Sequence, residues 1–468
     1  MRPGRQLLLL LACAGCSAPA GNEPAGAPWL FEVTLDPNGE ELAVQAMLPA
    51  GPQLDLDVAP ATAARFLGDI EVTENGTTRA RSLVDGGLHL DAAESSRRLR
   101  WRFRARAAAE AIDDIDAAAW RGQGFVGSLG AFLLHPGDDA AGRVFDLHVA
   151  APPYLTFACG CNPTADGWRG RVEDLAILPA CTFGAVARRT LTIDGAANRP
   201  RIDVVELGER PARYAEALDE WVTDAAHAVA QYFGTFPVDH LLLVIVASRR
   251  PGISGGTARG MGGARIVVDV PPRQRQEQFR RDWVLFHEMI HLGMPSLPMA
   301  QHWLEEGSAT YIEPLLQARA GRKTEVAVWT EFLSDYAQGL AGAGGLDDDH
   351  SWARTYYGGA TFCLLADVEI RARTDNRKSL QDVMRAVLTG RGNITQTARI
   401  EELLSTGDRA TGTTVLTELY ARMGQRVQPR ELDSLWRRLG VRLENGRTVF
   451  DEDAELASVR RALVLGTR

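Results

Sequence analysis

Two neighbouring stretches decide how this chain is read: Phe286-His287-Glu288-Met289-Ile290-His291 and Trp303-Leu304-Glu305-Glu306-Gly307. The first sits in a segment, Asp282 to Gly293, whose apolar residues Val284, Leu285, Met289, Ile290 and Leu292 recur at helical spacing. Residues four apart on a helix differ by about 40° of rotation, so His287 and His291 leave the same face. Two imidazoles placed that way can reach one metal ion, and Glu288 stands beside the first of them. This is the H-E-x-x-H arrangement of zinc hydrolases.

A catalytic zinc takes three protein ligands and keeps one position open. The third ligand should come from a later element. Gly293, Pro295 and Pro298 end the first helix and turn the chain back. The segment from Trp303 to Ala320 reads as the returning helix, with Glu306 on its first turn. Glu305 and Glu306 differ by about 100° on a helix, so only one of them faces the histidines. Glu306, the residue before Gly307, is the expected ligand. His302 lies one turn earlier and could also point inward, although a polar helix-start residue is the expected reading.

The pattern His287-Glu288-x-x-His291, then Trp303-Leu304-x-Glu306-Gly307-x-Ala309-x-Tyr311-x-Glu313, resembles the gluzincin metallopeptidases. The glycyl aminopeptidase family is the nearer likeness and aminopeptidase N a more distant one. Tyr232-Phe233-Gly234-x-x-Pro237 and Tyr356-Tyr357-Gly358-Gly359-Ala360 agree with it, and the resemblance spans roughly Arg210 to Leu388. It implies that this part of the chain is a thermolysin-like, mostly helical zinc peptidase domain. It implies one Zn2+ held by His287, His291 and Glu306. It also implies Glu288 as general base and Tyr356 as the donor to the oxyanion, with Tyr357 as the alternative. Glu313 is expected to support the site by a hydrogen bond to a ligand histidine. In the resembled aminopeptidases a glycine-rich strand before the zinc helix carries a glutamate that grips the substrate amine. Here Gly260-Met261-Gly262-Gly263-Ala264-Arg265 has no acidic residue, and Asp269 is the nearest one downstream. Aminopeptidase and endopeptidase readings therefore both stay open.

The rest of the chain sets the context. Its 468 residues exceed one ordinary core. The formal net charge of -9 argues against a nucleic-acid partner, which calls for a basic face. Residues 1–16 read as a lipoprotein signal peptide: Arg2 and Arg5 precede a short apolar run, and Cys16 is the expected lipidation site, with Cys13 competing. Residues 17–28, rich in Ala, Gly and Pro, read as a flexible tether. An exported, lipid-anchored protein facing the periplasm from a bacterial outer membrane is the expectation. Export permits disulfides, and Cys161 with Cys181 is the candidate pair, Cys159 being the other choice.

Period-two runs such as Leu99-Arg100-Trp101-Arg102-Phe103 place an N-terminal antiparallel β-sandwich domain at 29–200, so the whole chain reads as α+β. Helical periodicity then marks a catalytic domain at 201–395 and a C-terminal helical region at 396–468. The function expected is hydrolysis of peptides or proteins by a zinc metallopeptidase. An inactive binding or scaffolding lipoprotein on the same fold, and a zinc hydrolase of a non-peptide substrate, are the alternatives.

Overall fold

The computed structural model describes residues 27–137, 142–194, 196–340, 344–424 and 430–466. The signal segment, Cys16 and most of the tether lie outside the described residues. No helix among the described residues is long and apolar enough to cross a membrane.

The N-terminal body is built of three sheets. Its largest has eight strands, in the order Asn162–Pro163, Trp168–Arg171, Val144–Ala150, Trp29–Leu35, Leu42–Leu48, Arg97–Phe103, Leu67–Glu74 and Thr77–Arg81. Alternation explains why these segments are strands. In Arg97–Phe103 the side chains of Leu99, Trp101 and Phe103 point into the core, while Arg98, Arg100 and Arg102 face solvent. The pairing of Trp29–Leu35 with Val144–Ala150 is parallel, so the sheet is mixed where a purely antiparallel one was expected. A parallel partner must come from a distant segment, which local pattern does not reveal. A three-stranded and a four-stranded sheet pack with it around one apolar core that includes Phe31, Trp101, Phe132 and Phe183.

A five-stranded mixed sheet opens the second body, ordered Ala187–Thr192, Arg201–Leu207, His240–Ala247, Arg265–Val270 and Gly256–Arg259. Ala187–Thr192 pairs with Arg201–Leu207, so this body begins before residue 201. Helix Val284–His291 packs against it, and helices Ala215–Phe233, His302–Arg319 and Gly359–Arg373 continue the same apolar core. Residues 396–466 add helices and a hairpin, Val441–Glu444 with Arg447–Phe450, where helices alone were expected. Leu403, Leu419 and Leu463 share one core with Met289 and Ile312, so the C-terminal region is part of the same body.

The expected Cys161–Cys181 bridge is not formed. Cys159, Cys161 and Cys181 are free, buried thiols. The strand register sets Cys159 opposite Cys181, while the Cys161 thiol donates to the Gly262 carbonyl at 3.4 Å.

Candidate metal centre

The histidine helix, Val284–His291, is short and is held at its N-terminal end. Asp282 caps it: the carboxylate accepts the N–H groups of Val284 at 3.1 Å and Leu285 at 3.2 Å, and the Trp221 indole N–H at 3.0 Å. Leu285, Met289 and Ile290 bury one side of the helix, which leaves His287 and His291 on the other.

The returning helix runs from His302 to Arg319. Its two adjacent glutamates do different things. Glu305 accepts the Leu297 N–H at 3.1 Å and meets His302 Nδ1 at 2.7 Å, tying down the connecting loop. Glu306 turns to the histidine pair: one carboxylate oxygen is 3.1 Å from His287 Nε2 and 3.4 Å from His291 Nε2. The other oxygen is 3.2 Å from His302 Nε2. One potential ligand atom from each of His287, His291 and Glu306 lies within 4.8 Å of the others, the only such group of three among the described residues. Gly307 makes this approach feasible. A Cβ there would lie 2.2 Å from the Gly359 carbonyl carbon, so the two helices touch backbone to backbone.

Glu288 is buried beside the pair, under the edge strand Gly256–Arg259. By composition alone Ser254-Gly255-Gly256 reads as a loop, yet Gly256 opens a strand. Gly256 is needed because a Cβ would fall 2.5 Å from Glu288 Cγ. Burial pushes the Glu288 carboxyl up to about 7, against the opposing pull of His291 and the Ala258 N–H. Burial lowers His287. For His291 the hydrogen bond and charge of Glu306 outweigh burial and raise it. Burial works against ionised Glu306, but hydrogen bonds from His287, His291 and His302 hold its carboxyl well below the ordinary range. Glu305 and then Glu306 push His302 up to about 10, so it is a cation at neutral pH. Its place next to the cluster is the less favoured of the two readings its spacing allows, because a histidine at a helix start is more often a polar surface residue.

Tyr356 lies on a π-helical turn, Arg354–Gly358, that leads into Gly359–Arg373. Its ring stacks on His287 with centroids 6.1 Å apart, and it lines the same cleft as Glu288 and Glu306. Burial, then the Glu306 charge, raises its phenol and keeps it protonated. Tyr357 instead packs against Trp352 and Tyr336. Glu313 does not reach a ligand histidine. It accepts from Gln317 and faces Lys323, because two further helical turns, about 10 Å, carry it past the pair toward Asp282. Asp269 is not among the residues lining the cleft. The cleft, of about 540 Å³, runs between the two bodies, with Asp116, Leu178 and Ala180 on its N-terminal wall.

No known family model matches the sequence, and no curated protein does. Solved structures do resemble it. An aminopeptidase N family protein from Idiomarina loihiensis is similar with a TM-score of 0.65 at 15% identity, over 88% of this chain and 78% of that one. An M1 zinc metallopeptidase from Deinococcus radiodurans, solved with a Tyr-Ser-Ala substrate, gives 0.51 at 15% identity, over 86% and 94%. At this identity the likeness establishes the fold: a multi-sheet β body followed by a helical body, arranged as in the aminopeptidase N type of zinc metallopeptidase.

Proposed function

We propose that this protein is a zinc-dependent peptidase that acts on peptide or protein substrates, with His287, His291 and Glu306 holding one ion. The observation that carries this reading is the convergence of those three side chains from two helices on one point. The donor set fits. Ligand atoms around a tetrahedral zinc are about 3.3 Å apart, and Glu306 lies 3.1 and 3.4 Å from the two imidazole nitrogens. Two neutral imidazoles and a carboxylate are also the ligand types of hydrolytic zinc sites. When bound, the ion supplies Lewis acidity and acidifies a water to a pKa of about 7.

The remaining chemistry belongs to the chain. Glu288, with its carboxyl near 7, takes the proton of the attacking water and returns it to the leaving amine. Tyr356, protonated and facing the same space, donates to the oxyanion as the carbonyl becomes tetrahedral. The strand Gly256–Arg259 lies at the edge of its sheet and lines the cleft, where an extended substrate can run beside it. The N-terminal sequence supports export and lipid anchoring through Cys16, with the enzyme outside the cytoplasm.

Glu288→Gln is expected to keep stoichiometric zinc and lose peptide hydrolysis by about 10²-fold or more. Metal analysis and a peptide-library digest check it together. Wild-type-like turnover in the variant would remove Glu288 as the base. Zinc bound with no hydrolysis even in wild type would favour a binding protein.

A further inference from the structure

The cleft has two electrically different ends. One holds Glu288, His291, His302, Glu305 and Glu306. The other holds Arg259 and Arg265, with Asp116 the only lining carboxylate away from the metal cluster among the described residues. Arg265 is buried at 2% exposure and forms an ion pair with Asp116. Its Nη1 donates to the Ile115 carbonyl at 3.2 Å, and its Nε has no partner. Asp116 is thus neutralised by Arg265. Arg259 stays 3.8 Å from that carboxylate through Nε, and its Nη1 reaches only the carbonyl of Ala258. Its side chain is 60% exposed. This end of the cleft therefore carries one positive charge in excess.

Its distance from the chemistry follows from strand geometry. The Ala258 N–H of this edge strand reaches Glu288, so the Arg259 backbone is the next residue, about 3 Å further along, and its charge already bears on Glu288. A peptide extended along that edge advances by nearly the same length per residue.

We propose that Arg259, backed by Arg265, is a carboxylate-recognition subsite that selects substrates with a negative group within about three residues of the bond cleaved. This rests on the peptidase reading above. The carboxylate has two sources, an acidic side chain or a chain terminus, and the same guanidinium serves both. A free substrate ammonium at this place would be repelled.

The test uses the zinc-loaded full chain. Quenched fluorescent peptides carry Glu or Gln at each of three positions on either side of the scissile bond. A second set compares free with amidated C-termini and free with succinylated N-termini. The acidic member of one pair is expected to show a kcat/KM about tenfold above its neutral partner, with the gap shrinking at high salt. Preference within the first set identifies a side chain, and preference within the second a terminus. Arg259→Ala should bring the ratio close to one, and Arg259→Glu should invert it toward Lys-containing peptides. The same pairs are titrated by fluorescence anisotropy onto zinc-loaded Glu288→Gln and onto the double variant with Arg259→Ala. Binding selectivity for the acidic peptides without hydrolysis by wild type would keep the subsite and overturn the peptidase reading. Equal cleavage and equal binding of charged and neutral partners, or selectivity untouched by Arg259→Ala, would overturn the subsite.

Discussion

At the scale of single residues, adjacent glutamates show how much one step of helical rotation decides. Glu305 ties the connecting loop through Leu297, and Glu306 meets both imidazoles. The 100° step made it legible that one alone would turn inward. Glu313 was misread because its spacing fits the motif while two turns of rise take it elsewhere. There it becomes a buried carboxyl pushed up to about 8 by desolvation. This value exceeds the ordinary one of 4.5, so the folded state keeps a proton that the unfolded state has released. Stability contributed by this group is therefore full below about 4.5 and falls as pH rises toward 8. Glu313→Gln preserves shape and removes the titration. It should flatten the decline and raise stability at the alkaline end of that window. Urea melts at both ends check this, and a decline as steep as wild type would assign the pH dependence to other groups.

At the scale of elements, the site depends on how closely two helices approach. His302–Arg319 meets Gly359–Arg373 at Gly307 and Gly359, where neither has room for a side chain. Gly307→Ala pushes a methyl into the Gly359 backbone and must separate the helices. Overpacking of this kind costs about 1–3 kcal/mol, and this contact is backbone against backbone, so the upper half of that range is expected. The measurement is the shift in urea midpoint, together with zinc affinity, which should weaken because Glu306 moves with the helix. An unchanged midpoint would mean that the helices have slack. The π-helical turn at Tyr356 belongs to the same scale. Leu364, Leu365, Val368 and Ile370 recur at helical spacing beyond it, but periodicity does not register a single widened turn that re-aims one side chain. The strand Gly256–Arg259 was hidden for a related reason. Glycines suggest a loop, and what makes them a strand is the partner Arg265–Val270 and the helix beneath.

For the whole molecule, the two bodies are joined by apolar contact as well as by the chain. Ala119, Val126 and Ala158 of the N-terminal body form one buried cluster with Val205, Leu207, Val244 and Val267 of the five-stranded sheet. Arg265 and Asp116 pair across the same junction. A core shared in this way couples the two bodies on unfolding. Calorimetry of the full chain should show one cooperative transition whose midpoint rises when zinc is added, since the ion binds the folded state alone. Two separated transitions, with only the later one moved by zinc, would mean that the junction is too weak to couple them.

Local periodicity and spacing by themselves determined the α+β class, the switch from period two to helical period near residue 200, and the set His287, Glu288, His291 and Glu306 as the centre of interest. These are properties of neighbours along the chain, and rotation per residue converts them directly into direction in space. Tertiary structure alone decided the parallel pairing of the first strand, the free state of Cys159, Cys161 and Cys181, the company kept by Glu313 and His302, and the meeting of Arg259, Arg265 and Asp116 in one cleft. Those depend on which distant segments pack together, and the favourable energy of that packing comes from burial that no short window of sequence contains.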